Sequence, residues 1–265
     1  MRPLRLQAKL VLAFTIVLLP VLMLVLVDFY TDLRNSEEII VAHQLNTTHA
    51  VAELVEQVFN EAIQLGETVA ASPAARTMDP SILDPYLQEL IGRSRFYDAI
   101  NVFGADGVNR GWGNVEVSAE PRLRIGDRPY FQQVLRERRP VVSEVILLRR
   151  PLALGVIVGV PIVVGGETVG VVNVVFRTDL LAKRFGTAYL RPDESIFLVD
   201  PTGRLAFHTR LKDLGWEQSL LYQKHPAVVR ALAGSPTKGA LHESPVDGSR
   251  RYIAVAPTRR FAWAV

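Results

Sequence analysis

An unbroken apolar block opens the chain, before any alternation begins. Residues 10–27 contain 18 positions without a charge, bounded by Lys9 and Asp28. At helical rise this covers about 27 Å, close to the apolar thickness of a bilayer. Arg2, Arg5 and Lys9 precede it. That basic excess places the N-terminus in the cytoplasm and the bulk outside, at the inner (plasma) membrane. The block ends in Val-Asp-Phe-Tyr, without the small-x-small site of a cleaved leader. An uncleaved signal anchor is therefore expected. Pro20 lies mid-span, where membrane helices tolerate it, and Phe29 and Tyr30 suit the interfacial aromatic belt.

Residues 31–70 predict one long helix. Leu33, Ile40 and Leu54 fall on a seven-residue stride, as do Val51, Val58 and Leu65, and no Gly or Pro intervenes before Gly66. Such a stripe serves a stalk that pairs with a second copy, or a helix packed on its own domain. The heptads are too few to separate the two. Residues 71–85, rich in Ser, Pro and Ala, predict a break, and residues 86–95 a short helix.

Alternation then takes over. Residues 99–103 and 108–112 flank Gly-Ala-Asp-Gly and predict a hairpin. Asp127 is expected to cap a helix with Pro129 in its first turn, running to about Arg138. Strands are expected over 141–148, 152–164 and 169–177, with a Gly165-Gly166-Glu167 turn, then a short helix over 178–185. From residue 195 the plan starts again: residues 99–107 shifted by 96 positions fall on 195–203, turn glycine on turn glycine. A helix at 225–233, a hairpin around Asp247-Gly248 and strands over 251–257 and 261–265 follow. Two units of similar plan, the second smaller, make an α+β architecture of antiparallel sheets. Because the chain stops in a strand-like run, a fragment preceding a second membrane helix is expected.

The net charge of +3 adds little, since from residue 10 onward 27 Lys/Arg face 27 Asp/Glu. This balance argues against nucleic-acid binding. The absence of cysteine excludes thiolate catalysis, iron–sulfur clusters and Cys-based zinc sites. GxSxG, HExxH, P-loop and GxGxxG motifs are absent. His43 and His49 lie on different helix faces, which suits surface positions better than metal ligation. No catalytic residue, metal or cofactor is expected. A binding module remains, and Arg124-Ile-Gly-Asp-Arg-Pro-Tyr-Phe131 is its most informative stretch. Arg128 at a helix start suits a ligand carboxylate or phosphate, with Tyr130 and Phe131 as walls. Equally, the two aromatics are core and Arg128 pairs with an acid.

The stretch Gly126-Asp-Arg-Pro-Tyr-Phe-Gln-Gln-Val-Leu135, then Pro140-Val-Val-Ser-Glu, then the 155–176 hairpin and the closing 251–265 run resemble the double Cache sensor domain of bacterial membrane receptors. The resemblance covers residues 28–265. It implies two PAS-like antiparallel-sheet modules behind an N-terminal transmembrane helix and a long stalk helix. The expected division is a cytoplasmic tip at 1–9, anchor at 10–27, stalk at 28–70, membrane-distal module at 71–185 and membrane-proximal module at 186–265. It further implies a small-molecule ligand, carboxylate or amino-acid-like, held in the distal module. A homodimer through the long helix would relay binding to a cytoplasmic output such as a histidine kinase, or else a chemotaxis transducer or diguanylate cyclase. A dimerising structural module without a small ligand is the alternative. The amino-acid-binding subgroup carries Arg-x-Trp-Tyr, a Tyr five residues earlier and an Asp on the last distal strand. Arg128 matches, and Tyr130 and Phe131 replace the aromatic pair. Leu123 and Val175 depart from the Tyr and the Asp. Losing that Asp, the ammonium partner, shifts the expected ligand toward a small carboxylate. By placement, Trp112, Arg110, Asn173 and Ser143 are further pocket candidates, each with core or sheet packing as the alternative. Arg149 and Arg150 are expected in a solvated loop, and Trp216, Phe207 and Tyr222 in the core.

Overall fold

Valine-rich runs on either side of Gly165-Gly166 pair as the longest hairpin of the chain. The computed structural model describes residues 6–93, 96–114, 121–150, 152–185 and 194–265. Its order is α1 (Leu6–Ala71), α2 (Pro73–Thr77), α3 (Pro80–Gly92), β1 (Ala99–Gly104), β2 (Asn109–Trp112), α4 (Pro129–Glu137), β3 (Val141–Val142), β4 (Ile146–Leu147), β5 (Leu154–Val164), β6 (Glu167–Arg177), α5 (Thr178–Phe185), β7 (Phe197–Val199), β8 (Leu205–His208), α6 (Pro226–Leu232), β9 (Thr237–Glu243) and β10 (Arg250–Val255). Met1–Gln44 and Leu45–Val265 form two compact units.

In the first unit, helical residues Phe14, Val17, Leu22, Leu24, Phe29 and Tyr30 are exposed. Among the described residues no helix is long and apolar enough to cross a membrane. The span expected at 10–27 falls partly on positions 10–13 and 16, whose side chains lie outside the description.

In the second unit, β1 to β6 build one antiparallel sheet of order β2-β1-β6-β5-β3, with β4 also on β5. Gly165 and Gly166 both have positive φ, as the two-residue turn between β5 and β6 requires. Side chains alternate between two buried faces. Ile100, Val102, Val158, Val172 and Val174 share a core with Val51, Val55, Val58 and Phe59 of α1. At Gly66 a Cβ would come within 2.5 Å of Val160 Cγ2, so the glycine lets helix and sheet close up. Ala99, Phe103, Ile157 and Val175 on the other face pack against Tyr130, Phe131 and Val134 of α4.

The C-terminal stretch repeats the opening hairpin in detail. Gly104 N–H bonds Val108 O, and Gly107 N–H bonds Gly104 O. Ninety-six positions on, Asp200 N–H bonds Arg204 O and Gly203 N–H bonds Asp200 O. Gly107 (φ 75°) and Gly203 (φ 82°) share the left-handed conformation. Register shifts at Val102/Phe103 and Leu198/Val199 correspond too. The expected final strand is realised as bridges: Ala264 pairs with Val199 and with Pro257, joining the β7–β8 pair to the β9–β10 pair. The same closing run seats Phe261 and Trp263 edge-on against Phe59 of α1, each at 5.3 Å between ring centroids.

Three local expectations are corrected. The break expected over 71–85 shrinks to interruptions at 72 and 78–79, because Pro73 and Pro80 start α2 and α3 behind Ser72 and Asp79 caps. Asp127 does not cap α4. Arg128 holds that position without a side-chain cap bond, and the Asp127 carboxylate goes to Arg149 instead. Phe207 and Tyr222 are buried as expected, but Trp216 is 40% exposed, with the Arg204 guanidinium 3.6 Å above its ring.

Candidate functional site

On the α4 face of the large sheet two asparagines interrupt an apolar surface. Asn101 on β1 lies directly opposite Asn173 on β6 and, on its other side, opposite Trp112 on β2. A row Trp112–Asn101–Asn173 therefore crosses three strands on one face. Asn101 Oδ1 accepts from Gly113 N–H at 3.3 Å. Asn173 Nδ2 donates to the Tyr130 hydroxyl at 2.9 Å, tying β6 to the first turn of α4. Asn173 Oδ1 and Trp112 Nε1 have no hydrogen-bond partner, although both residues are at least 97% buried. Such buried orphans are rare, and each costs about 1–3 kcal/mol unless something fills it.

A small, half-open cleft with about 40 Å³ of interior space lies over this row. Trp112, Asn101, Asn173 and Val175 line it from the sheet; Leu123, Ile125, Arg128 and Tyr130 line it from α4 and its approach. Ile146, Leu148, Arg149 and Arg150 line its remaining side. Position 128 is fixed by backbone: Arg128 N–H bonds Ile125 O, and Ile125 N–H bonds Gly107 O in the β1–β2 turn. The half-buried Arg128 side chain donates through Nη2 to Leu147 O at 3.0 Å. A guanidinium has five N–H donors, so most stay available to a bidentate anion. Arg149 reaches back across the approach to α4, donating to Arg124 O and to Asp127 Oδ2. Burial pushes the Tyr130 hydroxyl well above the ordinary phenol range, outweighing the Asn173 hydrogen bond and the charges of Arg128 and Arg149. Tyr130 therefore stays a neutral hydroxyl. Among the described residues, three arginines and no carboxylate line the cleft.

Trp112 is positioned from behind. Its backbone N–H donates to Asp84 Oδ1 at 2.7 Å, and Arg122 grips the same carboxylate through both Nη atoms. Four of the seven sequence candidates thus converge: Arg128, Tyr130, Trp112 and Asn173. Three stand apart from the cleft. Phe131 is core, edge-on to Phe103 at 6.5 Å between centroids. Arg110 sits at the register shift between β1 and β2, and Asp106 binds it at 2.7 Å on the hairpin's outer side. The Ser143 hydroxyl accepts from Ile157 N–H and donates to Glu144 O, a wholly backbone role. Arg149 and Arg150 lie in the expected solvent-facing loop, and that loop also borders the cleft. Asn101 was passed over, though a lone polar residue inside Ala-Ile-Asn-Val-Phe is the signal that marks it. Among the described residues no cluster of His, Asp or Glu is placed to hold a metal ion.

The Cache domain family model (dCache_1) matches residues 34–265. The chain belongs to the Cache domain family. No curated protein sequence matches it. Among solved structures it resembles the extracellular domain of a candidate histidine kinase, rpHK1S-Z16, with 22% identity, TM-score 0.70, and 88% of this chain and 93% of that one covered. The ligand-binding domain of the Pseudomonas fluorescens chemoreceptor CtaA, in complex with L-isoleucine, matches at 17% identity and TM-score 0.62, covering 89% and 94%. That of the Pseudomonas aeruginosa amino-acid chemoreceptor PctC, in complex with GABA, matches at 15% identity and TM-score 0.54, covering 87% and 97%. The Cache fold of this chain is thus that of extracellular sensor domains of histidine kinases and chemoreceptors.

Proposed function

We propose that this chain is the extracytoplasmic ligand-sensing region of a membrane-bound bacterial signalling receptor. The observation that carries it is the cleft: an arginine with free donors at one side, and two lining residues, Trp112 and Asn173, that each hold an orphaned polar atom. A small carboxylate-bearing molecule binds there, its carboxylate on Arg128, in a membrane-distal module spanning 71–185. Residues 186–265 form the proximal module, which the repeated hairpin supports. The boundary between the modules falls beside positions 186–193, outside the described residues.

Residues 10–27 anchor the chain in the inner membrane with the N-terminus cytoplasmic. Exposed Phe14, Leu22, Leu24 and Phe29 on α1 support this placement. The helix pairs with a second copy and passes the signal to an output such as a histidine kinase. A chemotaxis transducer or diguanylate cyclase would receive the same motion. The ligand biases the signalling states only by its differential affinity for them.

Thermal unfolding of the full chain in detergent, followed by tryptophan fluorescence against carboxylates, amino acids, amines and purines, tests this. A ligand at 100 times its dissociation constant adds about 2.7 kcal/mol, a readily seen shift. The shift should vanish in Arg128→Ala. An unshifted protein across the whole set would favour a dimerising module without a small ligand.

A further inference from the structure

Resting on the cleft as ligand site, we propose that its ligand is a small acid whose second polar group is an uncharged hydroxyl, not an ammonium. Two independent features of the cleft lead there. The first is charge. Arg128 lines it with donors to spare, Arg149 and Asp127 cancel one another in an ion pair, and no described residue lining it carries a carboxylate that could take an ammonium. A ligand ammonium would lose its hydration and gain only neutral dipoles, with no carboxylate to pair with, which is unfavourable in a half-closed site.

The second is the pair of orphans. Trp112 Nε1–H needs an acceptor, and Asn173 Oδ1 needs a donor. An alkyl chain over them leaves both unmet. A carboxylate serves the indole and repels the amide oxygen. A hydroxyl both accepts and donates, so it suits either atom. It also suits the Asn173 amide turned over, with the Tyr130 hydroxyl then donating to Oδ1 and Nδ2 facing the ligand. In each arrangement Asn173 brings no charge, and the demand is for a neutral hydrogen-bonding group. Sites with buried polar groups reject analogues that leave those groups unpaired, and that is the selectivity expected here.

Two matched series test this by titration of the full chain in detergent: propionate, lactate and alanine; and butyrate, 4-hydroxybutyrate and 4-aminobutyrate. In at least one series the hydroxy acid should bind about 10- to 100-fold more tightly than both its alkyl and its amino counterpart. Asn173→Ala should bring the hydroxy acid down to the alkyl level. Trp112→Phe, which keeps the ring in the core, should weaken the hydroxy acid and leave the alkyl acid unchanged. If the amino or alkyl acid binds as tightly as the hydroxy acid in both series, the proposal falls and the cleft remains a ligand site. If no acid binds, the ligand site itself falls with it.

Discussion

Asp200, in the turn between β7 and β8, accepts a hydrogen bond from the backbone N–H of Val145 at 2.8 Å, across 55 residues of chain. Its other carboxylate oxygen accepts from Thr202 N–H, the Thr202 hydroxyl and Arg204 N–H. One fully buried side chain thus shapes its own turn and holds the segment that leads into β4. That strand lies at the cleft, where Ile146 is a wall and Leu147 O takes Arg128. Asp200→Ala leaves several donors unpaired and should cost about 2–4 kcal/mol by urea denaturation. Asp200→Asn, which sets an amide N–H against Val145 N–H, should cost about 1–3 kcal/mol. An unchanged denaturation midpoint in both would contradict this role.

The twin turns make a matched experiment. Alanine at Gly107 or Gly203 must adopt a positive φ, and each should lose about 1 kcal/mol from backbone conformation. Gly107→Ala should be the costlier, since its Cβ would meet the Gly126 backbone nitrogen at 2.5 Å. At Gly203 the nearest atom, Gln223 Cα, is 3.1 Å away. Because Gly126 leads into Arg128, Gly107→Ala should also weaken acid binding, whereas Gly203→Ala should not.

Stability should also fall on mild acidification, through His208. Burial pushes its pKa down to about 4, with Arg210 and Arg251 adding to the depression and Asp247 opposing it. Its Nδ1 accepts from Arg210 N–H, and Nε2 faces the Tyr222 hydroxyl at 3.4 Å, an arrangement of the neutral ring. Above the unfolded value near 6.5 neither state binds the proton, and the contribution is complete. As pH falls from 6.5 toward 4 the unfolded chain takes the proton first, so up to about 3 kcal/mol is lost. Below 4 the loss levels off. Comparing urea midpoints of wild type and His208→Gln between pH 7 and 4 checks this, the variant having the flatter profile.

The hairpins and the repeat were legible because period-two alternation and turn glycines are local signals, and residues 99–107 and 195–203 carry both. Proline-rich residues 71–85 misled because Pro73 and Pro80 act as helix starts there, and α3 carries Pro85 within it. At the cleft, Arg128, Tyr130, Trp112 and Asn173 were found from helix-start and strand-face logic. Arg149 was not, since its partners Arg124 and Asp127 lie 25 and 22 residues back, beyond any local pattern. Arg110 was misplaced for a related reason: a register shift in the β1–β2 pair is invisible to strict alternation.

The most direct test uses the orphaned indole of Trp112. With indole-¹⁵N tryptophan the full chain should give three N–H signals, from Trp112, Trp216 and Trp263, assigned by single Trp→Phe variants. Titration with the acid that binds most tightly should move the Trp112 signal in a saturable way and leave those of Trp216 and Trp263 in place. In Arg128→Ala the same acid, at the same concentrations, should leave all three unmoved. A Trp112 signal that stays fixed while the acid binds, or that shifts equally in Arg128→Ala, would contradict binding in this cleft.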